Sequence, residues 1–231
     1  MAAEGIQFSW WWNGGTISLN LGVIWEMSVK IDVFSDYVCP YCMLFESALT
    51  EATRDLDVDV HWQPFELRPE PTPTLRPEDD YLPNVWKKSV YPLAHKLGVP
   101  LSLPSISPQP YTRLAHEGFQ FAKKAGKSLE YNVRVFHAFF QEDRDIGDLA
   151  ELTKLAGEIG LDESSFRAAL ESGEFAEPYK RSLKKAIEFG VNFVPSVFID
   201  GKGLQGVYDP KALRSLLVNL EAGEVALSES I

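Results

Sequence analysis

The hydrophobic pattern of this chain changes its period along the sequence. Short runs rich in β-branched and aromatic residues, typical of strands, occur near residues 29–35, 57–65 and 194–200. Between the second and the third run, apolar residues recur at helical spacing over most of residues 78–189, which predicts a series of helices. The pattern therefore predicts strands towards both ends of the chain and a helical block in the middle.

Two further elements follow the third strand. Residues 201–203 predict a turn and residues 204–207 a partner strand, which together form a hairpin. A last helix is predicted over residues 211–220, after Asp209 as its N-cap and Pro210 at the first helical position. With the helical block set aside, the order is strand, helix, strand, then helix, strand, strand, helix.

This order predicts a split domain. We expect residues 28–70 and 176–223 to form one sheet-containing domain, residues 71–175 a helical insertion, and residues 1–27 an N-terminal extension. The extension has no basic segment followed by a cleavage site, and its apolar run is too short and interrupted to span a membrane. We therefore expect a cytoplasmic protein. A hairpin that packs on the domain or on a partner chain is the alternative role for the extension, which contains tryptophans at 10–12.

The composition narrows the range of partners. The net charge of −11 argues against non-specific binding to nucleic acid, which needs a basic surface. A hydrophobic content of 45% and a charged content of 24% are ordinary for a soluble globular protein. We expect neither nucleic-acid nor membrane partners, and either a monomer or a homodimer.

The two cysteines of the chain stand two residues apart, in Cys39-Pro40-Tyr41-Cys42. A disulfide between them would close too small a ring to add much chain-entropy stabilisation, so a pair that alternates between dithiol and disulfide is the stronger interpretation. Helical spacing after the motif places Cys39 at a helix N-terminus, where Pro40 suits the first turn. The helix dipole there favours a thiolate. We predict that Cys39 attacks, that Cys42 resolves, and that Pro40 and Tyr41 support the motif.

Two other interpretations of the cysteine pair have less support. A zinc site needs four ligands, whereas the chain has no third cysteine and its four histidines show no paired ligand spacing. The second interpretation is that both cysteines are buried and inert. The position of the motif between a predicted strand and a predicted helix argues against it. We therefore expect no metal, and no cofactor besides the redox-active cysteine pair.

The chain resembles the thioredoxin fold in its DsbA-like form over residues 29 to about 222. Three features carry the resemblance: the cysteine motif after the first strand, the helical insertion, and residues 190–198, which look like the family's loop with a cis-proline before a strand. Residues 34–40 and 139–147 are similar to the FrnE-like branch, which also includes 2-hydroxychromene-2-carboxylate isomerases. The resemblance implies an α/β thioredoxin fold, with a central mixed sheet flanked by helices and an inserted all-helical domain.

The resemblance also implies roles for residues near the cysteines. It implies that the Val194–Pro195 peptide bond is cis, lies against the sulfurs, and leaves the backbone of Val194 free to pair with an extended substrate. It implies a buried acidic residue from the first strand beneath the sulfurs, for which Asp32 is a candidate unless Val33 faces them instead. In that case deprotonation of the resolving thiol would rely on water. Asp36 is the second candidate for proton transfer or pKa tuning, with capping of the turn as its alternative role.

The predicted function is that of a thiol-disulfide oxidoreductase acting on protein, peptide or small thiols, with glutathione as a possible co-substrate. One alternative is a glutathione-dependent isomerase of the 2-hydroxychromene-2-carboxylate type, which uses a single serine or thiol; the second cysteine, Cys42, argues against it. Another is a non-enzymatic chaperone or partner-binding module that holds clients on the aromatic helix around residues 136–140. Core packing is the favoured interpretation of those aromatic residues.

Overall fold

A computed structural model of the protein describes residues 29–204 and 209–221. The strands are β1 (Val29–Ser35), β2 (Val58–Pro64), β3 (Ser196–Ile199) and β4 (Lys202–Leu204). The helices are α1 (Pro40–Ala52), α2 (Tyr81–Val85), α3 (Tyr91–Leu97), α4 (Arg113–Lys124), α5 (Ser128–Phe140), α6 (Leu149–Glu158), α7 (Glu163–Ser172), α8 (Ala176–Glu188) and α9 (Pro210–Glu221). The predicted extension over residues 1–27 lies outside the described residues.

The four strands form one mixed sheet in the order β2-β1-β3-β4. Strand β1 runs parallel to β2 and antiparallel to β3, and β4 runs antiparallel to β3. Helices α1 and α9 pack together next to β1, and α8 packs against β2. This arrangement confirms the predicted thioredoxin fold.

The hairpin between β3 and β4 turns earlier than predicted. Residues 201–203 were expected to form the turn, but Ile199 already pairs with Lys202. The turn consists of Asp200 and Gly201, whose φ angles of 48° and 79° are both positive. Positive φ angles at both central residues define the type I′ turn, whose twist matches that of the flanking strands. Asp-Gly is a preferred sequence for this turn. The partner strand predicted over 204–207 therefore begins at Lys202, and its residues 205–207 lie outside the described part of the chain.

A continuous helical segment follows β2 and its proline-rich exit. Helices α2 and α3 are joined by a π-helical turn, Trp86–Val90. The segment begins at Tyr81, and Pro83 lies in its first turn, where its missing N–H has no intrahelical acceptor. The π-turn contacts the cysteine motif, because its Ser89 bonds to Tyr41.

The sheet and the helical block share a single hydrophobic core. Val33 of β1, Cys42 of α1 and Leu217 of α9 belong to the same buried cluster as Trp86 and Phe136 of the helical block. The aromatic residues of α5 are at most 1% exposed, so the core-packing interpretation of that helix is confirmed. Helices α2–α7 thus fill the predicted position of the insertion, but their side chains complete the core of the sheet. The domain boundaries themselves stay a prediction.

Two helical glycines give a test of this packing. A Cβ atom added to Gly118 of α4 would lie 2.2 Å from Tyr131 Oη and 2.7 Å from Phe166 Cζ, both buried in the core. Alanine favours a helix by about 1 kcal/mol over glycine, but overpacking a core costs about 1–3 kcal/mol. We predict that Gly118→Ala lowers the free energy of unfolding by about 1 kcal/mol, measured by urea titration.

The matched control is Gly157→Ala in α6. There an added Cβ meets the carboxylate end of Glu163, a flexible side chain that can move aside. This variant should be neutral or more stable by up to about 1 kcal/mol. Equal effects of the two substitutions would contradict the proposed close packing at Gly118.

Candidate active site

The cysteine motif lies where β1 ends and α1 begins. The backbone N–H of Cys39 donates to the carbonyl oxygen of Asp36 at 3.0 Å, which closes a tight turn after the strand. Cys39 is the N-cap of α1, with φ −91° and ψ 112°, and Pro40 occupies the first helical turn. The backbone N–H of Cys42 bonds back to the carbonyl oxygen of Cys39 at 3.0 Å. The predicted position of Cys39 at a helix N-terminus is confirmed.

The cis-proline loop lies directly against the first sulfur. The Val194–Pro195 peptide bond is cis, as the resemblance implied. The thiol of Cys39 donates to the carbonyl oxygen of Val194, with 3.6 Å between sulfur and oxygen. The Ser196 hydroxyl bonds to the carbonyl oxygen of Phe193 at 2.7 Å and fixes the loop from its other side. The role of Val194 and Pro195 in substrate binding stays a prediction.

The two sulfurs differ in their surroundings. Both cysteines are free thiols, and Cys39 is 4% exposed whereas Cys42 is fully buried. Burial is the largest cause that raises the pKa of Cys42 well above the ordinary value of 9.0, and the neighbouring Cys39 sulfur raises that pKa further. Hydrogen bonds from the backbone of Asp36 and from the Ser35 hydroxyl lower the pKa of Cys42 but do not outweigh burial. Cys42 therefore holds its proton, whereas Cys39 is the sulfur that lies at the helix N-terminus and lines the cleft.

This difference predicts selective labelling. In Cys39→Ser, the remaining thiol of Cys42 should be alkylated by iodoacetamide only well above pH 9.0, because burial still raises its pKa. The measurement is the alkylation rate against pH, followed by mass spectrometry. In Cys42→Ser, the thiol of Cys39 should be labelled at a lower pH than that of Cys42 in Cys39→Ser, because Cys39 lines the cleft at the helix N-terminus. Labelling of Cys42 at or below the pH that labels Cys39 would contradict the assigned order of the two sulfurs.

A cleft opens beside the motif. It has a volume of about 240 Å³, and Cys39, Pro40, Tyr41 and Val194 line one side. The opposite wall comes from the helical block and its flanking loops, including Leu67, Leu75, Leu82, Trp86, Gln109 and Thr112. These wall residues carry no sequence signal of function, because they lie in proline-rich connections or at ordinary apolar positions. Only the folded chain brings them to the cysteines.

The motif is tied to the wall of the cleft. The hydroxyl of Tyr41 bonds to the Ser89 hydroxyl at 2.6 Å, which joins the motif to the π-helical turn. Because π-turns often occur at functional sites, this contact supports the cleft as the substrate site. Tyr41 therefore has a positioning role that its place in the motif alone did not reveal.

Residues 139–147, singled out in the sequence, anchor a second wall of the cleft. The carboxylate of Asp143 accepts from the backbone N–H of Ser105 at 2.7 Å. The side-chain amide of Gln141 donates to the carbonyl oxygen of Pro100 at 2.9 Å. These contacts fix the proline-rich loop that carries Gln109 into the cleft.

The structure separates the two acidic candidates. Asp32 is buried on β1, where it pairs with Lys30 Nζ at 2.9 Å and accepts from Gln63 Nε2 at 3.3 Å. Val33, the next residue, belongs to the core cluster that contains both cysteines. Since neighbouring strand residues point to opposite faces of a sheet, Asp32 faces away from the sulfurs. The contacts therefore favour the register in which Val33 lies beneath them.

Asp36 lies close to the motif. Its side chain is 1% exposed and lines the cleft together with Cys39. The carboxylate oxygen Oδ2 accepts from the backbone N–H of Leu67 at 2.7 Å, so Asp36 joins the β1–α1 turn to the chain after β2. Its other oxygen, Oδ1, lies 3.7 Å from His116 Nε2 on α4. His116 was not predicted to be near the site.

Glu46 is a buried acid that sequence analysis also missed. It lies on α1 one turn beyond Cys42 and is 3% exposed. Its carboxylate accepts from the Thr50 hydroxyl at 2.8 Å. Burial raises the pKa of Glu46 above the ordinary value of 4.5, against the smaller lowering by Thr50.

The raised pKa of Glu46 gives a pH-dependent prediction. A carboxyl group whose pKa is higher in the folded than in the unfolded chain stabilises the fold at low pH and loses this contribution as pH rises above 4.5. Glu46→Gln should therefore match the wild type near pH 4 and exceed its free energy of unfolding by roughly 1 kcal/mol at pH 7. Chemical denaturation at both pH values measures this. Glu51→Gln, exposed on the same helix, should show no such pH-dependent gain, and a loss of stability at pH 7 in Glu46→Gln would refute the prediction.

The fold and the cysteine site together define a thioredoxin-fold protein with a CXXC cysteine pair at the start of a helix. The model of the DSBA-like thioredoxin domain family matches residues 30–218. This chain therefore belongs to the DSBA-like thioredoxin domain family, as the sequence resemblance predicted.

Similar proteins agree with this assignment. The uncharacterized protein YwbO of Bacillus subtilis strain 168 is 49% identical over 182 residues, which cover 78% of this chain and 91% of YwbO. A 2-hydroxychromene-2-carboxylate isomerase shares the fold with a TM-score of 0.67 and 19% identity, over 85% of this chain and 100% of that one. The cytosolic disulfide reductase DsbM of Pseudomonas aeruginosa, solved with GSH, has a TM-score of 0.67 and 15% identity, over 83% of this chain and 98% of that one.

The described residues hold neither a metal cluster nor a membrane-spanning helix. Among residues 29–204 and 209–221, no three histidine, cysteine, aspartate or glutamate side chains are grouped as metal ligands. No helix within those ranges is long and apolar enough to cross a membrane.

Proposed function

We propose that the protein is a thiol-disulfide oxidoreductase that works through Cys39 and Cys42. The observation that carries the proposal is the position of Cys39, which is the N-cap residue of helix α1, faces the carbonyl oxygen of Val194 with its thiol and lines the cleft. A sulfur at this position is favoured as a thiolate by the helix N-terminus. The second sulfur follows one helical turn later, where it can reach the first.

The exchange proceeds in two displacements. The Cys39 thiolate attacks one sulfur of a substrate disulfide, forms a mixed disulfide, and releases the other substrate sulfur as a thiolate. Cys42 then loses its proton and attacks Cys39 Sγ, which forms the Cys39–Cys42 disulfide and releases the second substrate sulfur. The substrate disulfide is reduced by two electrons and the cysteine pair is oxidised by two. The reverse sequence oxidises a substrate dithiol.

The substrate is proposed to be a peptide-like thiol or disulfide. The backbone of Val194 is positioned beside Cys39 and can pair with an extended segment by strand addition. The cleft of about 240 Å³ admits a short segment rather than a folded surface, and Arg68 at its edge supplies a positive charge for a carboxylate. Glutathione fits this description as a co-substrate, and DsbM was solved with GSH. A cytoplasmic location, as in that cytosolic reductase, is part of the proposal.

The isomerase and binding-module alternatives have less support. The likeness to a 2-hydroxychromene-2-carboxylate isomerase is one of fold, at 19% identity. That chemistry needs one activating group, whereas here Cys42 is packed against Cys39 with its own hydrogen-bonding groups. The aromatic face of α5 is buried in the core and offers no surface for clients. The dithiol reaction gives each of the two cysteines a role, whereas the isomerase reaction leaves Cys42 without one.

The test traps the mixed disulfide with glutathione disulfide. Cys42→Ser should accumulate one glutathione adduct on Cys39, because the resolving sulfur is missing. The wild type should pass to the Cys39–Cys42 disulfide, and the matched variant Cys39→Ser should form the adduct far more slowly than Cys42→Ser, since a buried thiol with a raised pKa is almost wholly protonated at pH 7. Mass spectrometry measures each species.

The proposal fails if neither the wild type nor Cys42→Ser reacts, or if Cys39→Ser forms the adduct as fast as Cys42→Ser. Isomerisation of 2-hydroxychromene-2-carboxylate in the presence of glutathione, at the same rate in Cys42→Ser as in the wild type, would favour the isomerase instead.

A further inference from the structure

A group of buried polar atoms lies behind the cysteines. Among the described residues, four such side-chain atoms have no hydrogen-bonding partner: Asp36 Oδ1, His116 Nε2, Tyr131 Oη and Asn132 Nδ2. Buried polar atoms are nearly always paired, and an unpaired one costs about 1–3 kcal/mol. Two of the four, Asp36 Oδ1 and His116 Nε2, face each other at 3.7 Å, which is too far for a direct hydrogen bond. Such an arrangement requires an explanation.

A small cavity, which shares no wall residue with the cleft, adjoins part of this group. Its volume is about 10 Å³, roughly the space that one water molecule needs. Ser35, His116 and Asn132 are among its walls, so two of the unpaired side chains border it. A water molecule there would find the two to four polar partners that a buried water requires.

Ser35 connects this cavity to the resolving cysteine. Ser35 lies on the same face of β1 as Val33, its hydroxyl lowers the pKa of Cys42, and it also borders the cavity. Val33, which lies in the cysteine cluster, has no group that can accept a proton. Because the fully buried thiol of Cys42 must lose its proton before it attacks, the proton needs a route through the interior.

We propose that His116, paired with Asp36, accepts the proton of Cys42 through the Ser35 hydroxyl and one water molecule in the small cavity. This inference rests on the proposed function, since it assigns the proton of the resolving step. It names His116 as the proton acceptor, Ser35 as the relay between the sulfur and the water molecule, and Asp36 as the residue that positions and stabilises the imidazole.

The proton balance of the resolving step is complete. As Cys42 attacks Cys39 Sγ, its proton passes to the Ser35 oxygen, the Ser35 proton passes to the water, and a water proton passes to His116 Nε2. The electron pair of the Cys42 sulfur forms the new S–S bond, and the substrate sulfur leaves with the pair of the broken bond. The resulting imidazolium lies 3.7 Å from the Asp36 carboxylate, whose opposite charge favours it.

Asp36 also gives the proton an exit. It borders the cleft on the substrate side, whereas His116 borders the inner cavity. The pair therefore spans the layer between the buried thiol and the cleft. A proton held on His116 can reach the departing thiolate or solvent there without passing the sulfurs.

The other titratable groups around His116 are already engaged or uncharged. Tyr37 packs on its ring at a centroid distance of 4.8 Å, and Tyr179 of α8 stacks at 6.1 Å. The Tyr179 hydroxyl donates to Glu66, and Glu117, next to His116 on α4, pairs with Arg113 at 2.8 Å. From α5, the uncharged Asn132 borders the same cavity. Asp36 is thus the carboxylate that lies opposite His116 Nε2.

The test separates attack from resolution with an aromatic disulfide whose thiolate is coloured. Reduced wild-type protein should release two equivalents in stopped-flow, the first from attack by Cys39 and the second from resolution by Cys42. His116→Gln should slow the second phase roughly 100-fold, the usual scale of a lost acid–base group, and leave the first within about threefold. Ser35→Ala should slow the second phase in the same way.

The pH profile distinguishes proton transfer from a structural effect. In the wild type, the second-phase rate should fall at acid pH, because a protonated imidazole cannot accept another proton. In His116→Gln, this acid limb should disappear and the rate should instead rise steadily with hydroxide concentration. The controls are His137→Gln, a partly buried histidine on α5, and Ser172→Ala at the end of α7; both should keep the wild-type rates and profile.

Each result decides a separate question. Absence of coloured thiolate from the wild type would end the proposed function itself. Two phases in the wild type, together with a normal second phase and acid limb in His116→Gln, would refute only the proton route. If His116→Gln does not fold, as judged by circular dichroism, two other measurements decide. The route is refuted if the second phase of the wild type has no acid limb, or if Ser35→Ala has a normal second phase. It is supported if the wild type has the acid limb and Ser35→Ala has a slowed second phase.

Discussion

The site depends on the position of one cysteine at the start of a helix. The end of β1 delivers Cys39 to the N-cap of α1, where unpaired backbone N–H groups and the helix dipole favour negative charge. The cis-proline loop places the carbonyl oxygen of Val194 on the other side of the same sulfur. The proposed roles of the second cysteine, the cleft and the buried polar residues all depend on this position of Cys39.

The two sulfurs differ in exposure and in their immediate surroundings. One sulfur meets the helix terminus and the cleft, and the other is enclosed by apolar side chains that keep it protonated. An enclosed thiol is protected from unwanted reactions but needs a way to release its proton. The proposed proton route supplies this release through Ser35, the small cavity and the facing pair of Asp36 and His116.

Sequence alone was sufficient for features set by local rules. The N-cap position of Cys39 follows from a strand, a proline and helical spacing, which are all neighbours in the chain. His116 could not be found this way, because its approach to Asp36 depends on how α4 packs against the β1–α1 turn. The choice between Asp32 and Val33 could not be made either, since a shift of one residue reverses the face that each strand residue occupies. The cleft walls come from proline-rich segments that look like simple connections.

The common core of sheet and helices sets a limit on how this protein can be reduced in size. Trp86 and Phe136 lie in the same apolar interior as Val33 and Leu217. A shortened chain that joined β2 directly to α8 would strip one side of that interior and expose it to water, at about 25 cal/mol for each Å². Such a minimal protein is expected to aggregate, so laboratory transplantation of the cysteine motif should carry the helical block with it.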